Sequence, residues 1–486
     1  MDFKQFFFLN KKKTHAEREY KKIQVVFFRM EQKILTNPAG MVDLTDDQLF
    51  MRKDLLNTIK KHAYTYGVQE MDTPIMEHSS LLLSSGTNTD LLNQIFHMEK
   101  YALRYDLTKP FARFMAQNGL SQFARIQAGP VFRKDTPAIQ NGRFSQFWQC
   151  DIDFAGKSQH MLYDWYCIEL LMQVFNELAL DIRIRINHRA LFEYLVLAKC
   201  NVPREMYLET AQIIDKSDKL SQMELTAELL RIGLTVKQIE DLETYILDKD
   251  TLGDENPEDY DIYGCYDKHP ACDEIATLFR YANKLYPSSH NILTFDKTLV
   301  RGMHYYTGVI FEVVLVHGKQ YGSIAAGGRY DKLIGELTNN RLNVPVVGVS
   351  FGIDRILMIL GKKRTAPKKI PVDIYITFAK NKETTTQTIE LLVMEVLRIA
   401  KICRDAELTV HIAADPNIPL KAHIKLAGDS GNAFILLIGE TELSTDTVML
   451  RELNMQTPIS RPVPVPRLVP VLRASLYGGG RPFMEY

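Results

Sequence analysis

The sequence has few cysteines, no excess of either charge and no long apolar run. Its six cysteines, spread over 486 residues, lack the regular spacing of a disulfide framework, which argues against a disulfide-stapled secreted protein. No apolar segment approaches the ~20 residues of a membrane-spanning helix. Lys and Arg total 59, as do Asp and Glu, so a polyanionic partner must be met by local basic patches. A reducing, intracellular compartment is expected.

The chain is too long for one hydrophobic core, so several domains are expected. Hydrophobic residues make up 46% and charged residues 24% of the sequence, which are ordinary globular values. Acidic residues at 2, 17 and 19 argue against an organellar transit peptide and favour the cytoplasm. The predicted organisation is a basic extension (1–36), a mixed core (37–360) with a mostly helical insertion at about 190–290, a Lys/Pro linker (361–370), a small α/β domain (371–455) and a Pro/Gly-rich tail (456–486) expected to be extended or disordered.

Local patterns define the first elements. Thr45 and Gln48 have the spacing of a capping box, and Gly67 is placed to end the helix that follows. Residues 124–155 read as two antiparallel strands joined by the polar loop "RKDTPAIQNGR".

Strand parity gives this hairpin one polar face. Its members are Arg125, Gln127, Val131 and Arg133 on the first strand and Gln149, Asp151 and Asp153 on the second. The opposite face of the second strand is mostly apolar, with Trp148, Cys150, Ile152 and Phe154. The polar face is either solvated or lines a site, and an isolated hairpin favours solvent.

Further polar residues stand at the starts of other elements. Asp106 and Thr108 precede a helix, and Arg355 lies in the first helical turn after Gly352. An arginine beside the free N–H groups of a helix start suits phosphate oxygens, although a surface arginine is the commoner case. Arg301 heads the strand "LVRGMHYYTGVIFE", where a charge is costly unless it meets an anion.

Five blocks in order resemble the histidyl-tRNA synthetases of the eukaryotic cytosolic type, within the class II aminoacyl-tRNA synthetases, over roughly residues 37–455. "FRKDTPAIQNGRFSQFWQCDID" resembles motif 2 and "GVSFGIDRI" resembles motif 3. The helix and strand ending at Pro74 resemble motif 1, the family's dimer interface. "LVRGMHYYTG" and "AAGGRYD" are similar to the histidine-specific signatures. The resemblance implies an α+β fold: an antiparallel sheet flanked by helices, a helical insertion and a C-terminal α/β anticodon-binding domain.

The resemblance also implies a function. The family activates L-histidine with ATP, with Mg²⁺ on the phosphates, to histidyl-adenylate and pyrophosphate. It then transfers histidine to the 3′ end of tRNA(His), and it does so as a homodimer. The attacking carboxylate is already ionised at neutral pH, so charge stabilisation is the main catalytic need. By resemblance, Arg301 and Arg133 approach the α-phosphate, and Arg133, Arg143 and Arg355 bind ATP.

The same resemblance assigns the histidine pocket. Asp153 and Tyr306 match the positions that fix the two imidazole nitrogens, and Asp106, Thr108 and Gln149 match those around the α-amino group. Tyr305 belongs to the same pocket, and Tyr330 closes it. No metal ligand from the protein is expected: Cys265, His269 and Cys272 in "CYDKHPAC" fall short of a four-ligand zinc site and read as ordinary core and loop residues.

The sequence departs from the family pattern at two places. Met303-His304 replaces the usual Leu-Asp, and "GRFSQF" lacks a second basic residue. Because Arg301 and Tyr306 point to opposite faces of an unbroken strand, a kink near Gly302 is expected. The alternative function is that of a non-catalytic relative that binds histidine or tRNA as a regulator. The three arginines Arg133, Arg301 and Arg355 argue against it.

Overall fold

The computed structural model describes residues 35–83, 93–134, 137–139, 142–217, 220–247, 269–287, 292–300, 305–363, 373–380, 384–413, 418–429, 431–453 and 460–477. The chain divides into two compact units. The first consists of Met1–Asp43 and Arg52–Lys363, and the second of Leu44–Met51 and Arg364–Tyr486. The N-terminal extension, the acidic loop at 248–261 and most of the predicted linker lie outside the described residues.

The first unit is built on an eight-stranded sheet of order β1-β5-β6-β11-β10-β9-β7-β8. All neighbouring strands are antiparallel except the edge pairs β1–β5 and β7–β8, which are parallel. This agrees with the α+β fold expected from the sequence. The strands are β1 (Gln69–Glu70), β5 (Phe123–Phe132), β6 (Gln146–Ala155), β7 (Ile182–His188), β8 (Leu293–Phe295), β9 (Val309–Leu315), β10 (Ala325–Arg329) and β11 (Val346–Gly352).

A small second sheet of order β2-β4-β3 lies in the same unit. Its strands are β2 (Met76–His78), β3 (His97–Met98) and β4 (Tyr101–Leu103). Helix α1 (Asp46–Tyr64) begins after Thr45, whose backbone N–H donates to Gln48 Oε1 at 3.0 Å. Gly67 follows the helix with a φ of +73°, which glycine adopts without strain.

The other helices of the first unit form the predicted helical insertion and flank the sheet. In the part of residues 190–290 that the structure describes, most residues are helical: the segment contains most of α5 and all of α6–α9. The helices are α2 (Ser79–Leu82), α3 (Thr108–Asn118), α4 (Leu162–Glu177), α5 (Arg189–Tyr194), α6 (Tyr207–Ile214), α7 (Gln222–Arg231), α8 (Val236–Leu242), α9 (Pro270–Leu285), α10 (Leu333–Leu337) and α11 (Ile353–Lys363).

The second unit contains a five-stranded mixed sheet of order β13-β12-β14-β15-β16. Its strands are β12 (Ile374–Phe378), β13 (Val410–Ile412), β14 (Phe434–Ile438), β15 (Thr447–Glu452) and β16 (Ser460–Pro464), and its helices are α12 (Thr386–Asp405), α13 (Leu420–Asp429), α14 (Glu440–Thr445) and α15 (Val465–Tyr477). The expected small α/β domain is therefore present as a fold.

The expectation of an extended or disordered tail from 456 is wrong for residues 460–477. Strand β16 pairs antiparallel with β15, and α15 buries Leu468, Leu472 and Leu476 in the core of this unit. Prolines misled the sequence interpretation, although an edge strand and a first helical turn both accept proline. Pro470 lies inside α15, where proline is normally unfavourable. The compact domain extends to residue 477. No helix in the described part of the chain is long and apolar enough to cross a membrane.

Candidate functional site

One face of the large sheet carries the predicted site. Its register pairs Arg125 with Asp153 and Gln127 with Asp151 across β5 and β6, and it pairs Asp153 with Gly348 on β11. A Cβ atom on Gly348 would lie 1.9 Å from Asp153 Oδ1, so this position has room only for glycine. Most of the polar face of the hairpin is buried, contrary to what an isolated hairpin would favour, because neighbouring elements cover it; Arg133 and Gln149 are half-buried.

A buried ion pair holds the centre of this face. Arg125 is 0% exposed and donates to Asp153 Oδ2 from Nε at 2.8 Å and from Nη2 at 2.7 Å. Tyr330 donates its hydroxyl to Asp153 Oδ1 at 2.5 Å. Burial alone would lower the pKa of Arg125, but the charges of Asp153 and Asp151 raise it above its usual value. Asp153 is thus held in one orientation from both of its oxygens.

Asp151 was not assigned a role from the sequence, yet it lies beside this pair. Its Oδ2 is 3.9 Å from Arg125 Nη2, while its Oδ1 is buried without a hydrogen-bond partner among the described residues. Burial and the charge of Asp153 raise the pKa of Asp151 to about 7, against the opposing effect of Arg125. The sequence could have indicated Asp151 as a site residue, because it lies between Gln149 and Asp153 on the polar face.

Asp106 and Gln149 supply two further unsatisfied acceptors. Asp106 is 3% exposed; its Oδ1 accepts from the Lys109 backbone N–H at 3.1 Å. Its Oδ2, like Gln149 Oε1, is buried and has no partner among the described residues. Burial raises the pKa of Asp106 above its usual value, although Lys109 and Arg133 act in the other direction. Buried acceptors without donors are costly, which points to a cationic ligand.

Three tyrosines form a wall beside Asp153. The ring centroids of Tyr305 and Tyr306 are 4.9 Å apart, and those of Tyr305 and Tyr330 are 5.7 Å apart in an edge arrangement. Burial raises the pKa of Tyr305 well above its usual value, whereas a hydrogen bond with the Thr108 side chain lowers it. The structure therefore brings these tyrosines together with Thr108 and Asp153; their role in binding histidine stays a prediction.

The three predicted ATP arginines that are described lie around the β5–β6 loop and α11. Arg133 donates from Nε to the Tyr105 carbonyl at 3.0 Å, and its guanidinium stands 5.2 Å from the centre of the Phe147 ring. Arg143 is exposed and its backbone bridges to Ala138. Arg355 donates to the Ser323 carbonyl. A Cβ on Gly142 would lie 3.2 Å from Arg355 Cγ, so the loop packs directly on that arginine.

Several predicted features lie outside the described residues. They are Arg301, the kink near Gly302, the Met303-His304 departure and Cys265 of the zinc alternative. His269, from the same alternative, caps α9 by accepting from the Ala271 backbone N–H. Within the described residues, no group of three or more His, Cys, Asp or Glu side chains is arranged to hold a metal ion.

A family model described as histidyl-tRNA synthetase matches residues 40–356. The chain belongs to the histidyl-tRNA synthetase family. The match spans the hairpin, both tyrosine turns and the start of α11, so the polar face described above lies within the matched region.

Curated relatives and a solved structure agree with membership of the histidyl-tRNA synthetase family. A probable cytoplasmic histidine–tRNA ligase of Vairimorpha ceranae is 32% identical, over 86% of this chain and 96% of that protein. The cytoplasmic histidine–tRNA ligase of Dictyostelium discoideum is 30% identical, over 93% and 92% respectively. Histidyl-tRNA synthetase from Nostoc sp. PCC 7120 superposes with a TM-score of 0.69 at 23% identity, over 90% of this chain and 99% of that one, which shows a common fold.

Proposed function

We propose that the polar face of the large sheet is where this histidine–tRNA ligase activates L-histidine with ATP, before transferring it to the 3′ end of tRNA(His). The observation that carries the proposal is the pair of buried, unpartnered acceptors, Asp106 Oδ2 and Gln149 Oε1. Gln149 stands on the same sheet face as Asp153, which an arginine and a tyrosine already orient. Asp106 lies close enough to this face for Arg125 to act on its carboxyl electrostatically. An ammonium group and an imidazole together satisfy this arrangement.

The imidazole is proposed to lie between Asp153 and Tyr306. A neutral imidazole has one donor and one acceptor, so a carboxylate and a hydroxyl recognise both of its nitrogens. Asp153 accepts from Arg125 and Tyr330, and a carboxylate has about four acceptor sites, so capacity remains for an imidazole N–H. A ligand without both nitrogens leaves buried polar groups unpaired and is rejected.

The α-amino group is proposed to bind Asp106, Thr108 and Gln149. An ammonium has three donors and would satisfy both unpartnered oxygens. Each such buried group costs about 1–3 kcal/mol when left unpaired, so binding recovers a penalty that the empty site carries. Lys109 holds Asp106 from the opposite side through its backbone N–H, so the carboxyl is presented with one oxygen facing the ligand.

ATP is proposed to bind along Arg133, Arg143 and Arg355. The reaction displaces pyrophosphate from the α-phosphorus by the histidine carboxylate oxygen, so cations positioned around the phosphates are the main requirement. The Nε hydrogen bond and the Phe147 ring fix the guanidinium of Arg133. We assign transition-state stabilisation to Arg133 and Arg301. Mg²⁺ would enter with the phosphate oxygens, which it prefers as ligands.

A homodimer in the cytoplasm is proposed on separate grounds. Ile75, Met76, Met98 and Tyr101 are apolar and exposed on or beside the β2-β4-β3 sheet, which follows the segment resembling motif 1, and a second copy would cover them. Sedimentation of the intact protein should give twice the chain mass.

The second unit is proposed to bind the tRNA anticodon. The cytoplasmic relatives support the compartment.

The deciding experiment is ATP–pyrophosphate exchange with Mg²⁺ and each standard amino acid in turn. We expect exchange with L-histidine alone, because only histidine supplies both the ammonium and the two imidazole nitrogens. A folded protein that binds histidine without exchange would instead be a regulator of the non-catalytic kind.

A further inference from the structure

A second ion-paired arginine lies next to the pocket tyrosine Tyr330. Arg329 donates from Nε to Asp164 Oδ1 at 3.0 Å and from Nη2 to Asp164 Oδ2. Its Nη1 donates to Asp331 Oδ1 at 3.2 Å. Asp164, in the first turn of α4, is 0% exposed. A two-point pair of this kind fixes the guanidinium in both direction and rotation.

The aliphatic stem of Arg329 fills the space beside Gly308. A Cβ atom on Gly308 would lie 2.9 Å from Arg329 Cδ and 3.2 Å from Arg329 Cβ. Because two aspartates hold the guanidinium, the stem has no room to move away. Gly308 lies immediately before β9 and directly after the turn that carries Tyr305 and Tyr306, so the stem braces that turn.

Backbone bonds tie this turn to the one that carries Tyr330. The Thr307 N–H donates to the Arg329 carbonyl at 2.8 Å, and Thr307 Oγ1 accepts from the Asp331 N–H at 3.0 Å. Asp331 Oδ1 also accepts from the Val346 N–H at 3.0 Å. The turn that carries Tyr305 and Tyr306 is therefore bonded to the turn that carries Tyr330. The bonds are made by Thr307, Arg329 and Asp331, which are the sequence neighbours of these tyrosines.

We propose that Arg329 and Asp164 are positioning residues that set the geometry of the histidine pocket. Neither is among the residues proposed to bind histidine or ATP. They act through Thr307 and Asp331, which hold the rings of Tyr305, Tyr306 and Tyr330 at their mutual distances. This inference rests on the proposed function, since it takes those tyrosines as the wall of the histidine site.

A positioning role differs measurably from a purely structural one. Loosening the two turns should weaken histidine binding more than ATP binding, because Arg143 and Arg355 lie on other elements, the β5–β6 loop and α11. A purely structural role would lower the melting temperature and the active fraction without separating the two substrates.

The experiment compares three near-isosteric variants of the full chain by exchange kinetics and by calorimetric histidine binding. Asp164→Asn removes the charge that holds Arg329, and Thr307→Val removes only the hydroxyl that accepts from Asp331. Glu169→Gln is the control: Glu169 lies on the same helix and accepts from the Tyr66 and Tyr286 hydroxyls at 3.0 and 2.8 Å.

We expect Asp164→Asn to raise the KM and the Kd for histidine about tenfold, since small misplacements of positioning groups have effects of this order or larger. Thr307→Val should raise them in the same direction, and the KM for ATP should change by less than about twofold in both. Glu169→Gln should change neither constant.

Unchanged histidine constants in the two test variants would overturn the inference, as would equal rises for histidine and ATP, or the same rise in the control. If Asp164→Asn does not fold, Thr307→Val decides the matter alone. A parent protein that binds histidine but lacks exchange refutes the proposed function, and the Kd ratios then still test the positioning role.

Discussion

Asp106→Asn should stabilise the empty protein and weaken histidine binding at the same time. The change keeps the size of the side chain and an oxygen to accept from the Lys109 N–H, but it removes the charge. Asp106 Oδ2 has no partner among the described residues, so the charge serves no hydrogen bond there in the empty site. In the proposed complex it meets the ammonium of histidine.

The sign of the stability change follows from the pKa. Burial raises the pKa of Asp106 in the folded state, so its favourable contribution is complete below the unfolded pKa and is lost as pH rises through the folded pKa. The loss therefore grows as pH rises through the folded pKa, and asparagine, which does not ionise, avoids it. The binding loss is that of a hydrogen bond to a charged group, about 1.5–3 kcal/mol, or roughly 10- to 150-fold in the KM for histidine.

Thermal unfolding and exchange kinetics at pH 7.5 test both effects. Asp296→Asn is the matched control, because Asp296 is paired with Arg185 at 2.5 Å and should lose stability when neutralised. A lower melting temperature for Asp106→Asn would mean that attraction to Lys109 and Arg133 outweighs burial. An unchanged KM for histidine would refute the assignment of the ammonium site.

Four other outcomes are expected. Arg301→Ala should lower the exchange rate by about 10²–10³ with histidine binding retained, as measured by calorimetry, because a preorganised cation is lost; near-normal turnover would make Arg301 a structural residue. His304→Asp should change the KM for histidine by less than about tenfold, or ~1.4 kcal/mol, because a second imidazole that can carry a positive charge would oppose binding of histidine if it lay in the pocket; a larger change would bring His304 into the pocket. Asp151→Asn should raise the melting temperature more at pH 8 than at pH 5, since the raised pKa of Asp151, about 7, makes its ionised form unfavourable as pH rises; a gain independent of pH would contradict this. Leu472→Ala should cost about 2–5 kcal/mol of unfolding free energy, measured by denaturant titration, because Leu472 is fully buried; no loss would mean that α15 is not packed in solution.

Local patterns predicted the elements because their causes are local. The Thr45 cap, the Gly67 turn and the alternation along β5 and β6 depend on residues within a few positions of one another. The alternation of side chains along the two strands was therefore enough to predict which residues form the polar face. Its two strands carry Arg125 and Asp153 opposite each other, as a simple antiparallel register requires.

The burial of that face depended on distant parts of the chain. Tyr330 reaches Asp153 across 177 residues of sequence, and Gly348 leaves the space that Asp153 Oδ1 occupies. An isolated hairpin contains neither contact, so its parity is equally compatible with solvent. The prediction for the C-terminal segment was wrong for a related reason. Its prolines were taken as signals of disorder, but whether a proline fits depends on the edge position of β16 and on the tertiary burial of α15.

Tyr330 stands between two buried ion pairs, Arg125 with Asp153 and Arg329 with Asp164. Apolar residues of equal volume would give comparable or greater stability, since desolvation offsets most of the gain from such pairs. Apolar residues would not fix the orientation of their neighbours as the forked hydrogen bonds between an arginine and an aspartate do. Removing one partner strands a buried charge at a cost of about 3–5 kcal/mol, so each pair resists loosening. Charged pairs at these positions are better explained by the geometry they impose than by the stability they add: Asp153 accepts from the Tyr330 hydroxyl, and the stem of Arg329 packs beside Gly308.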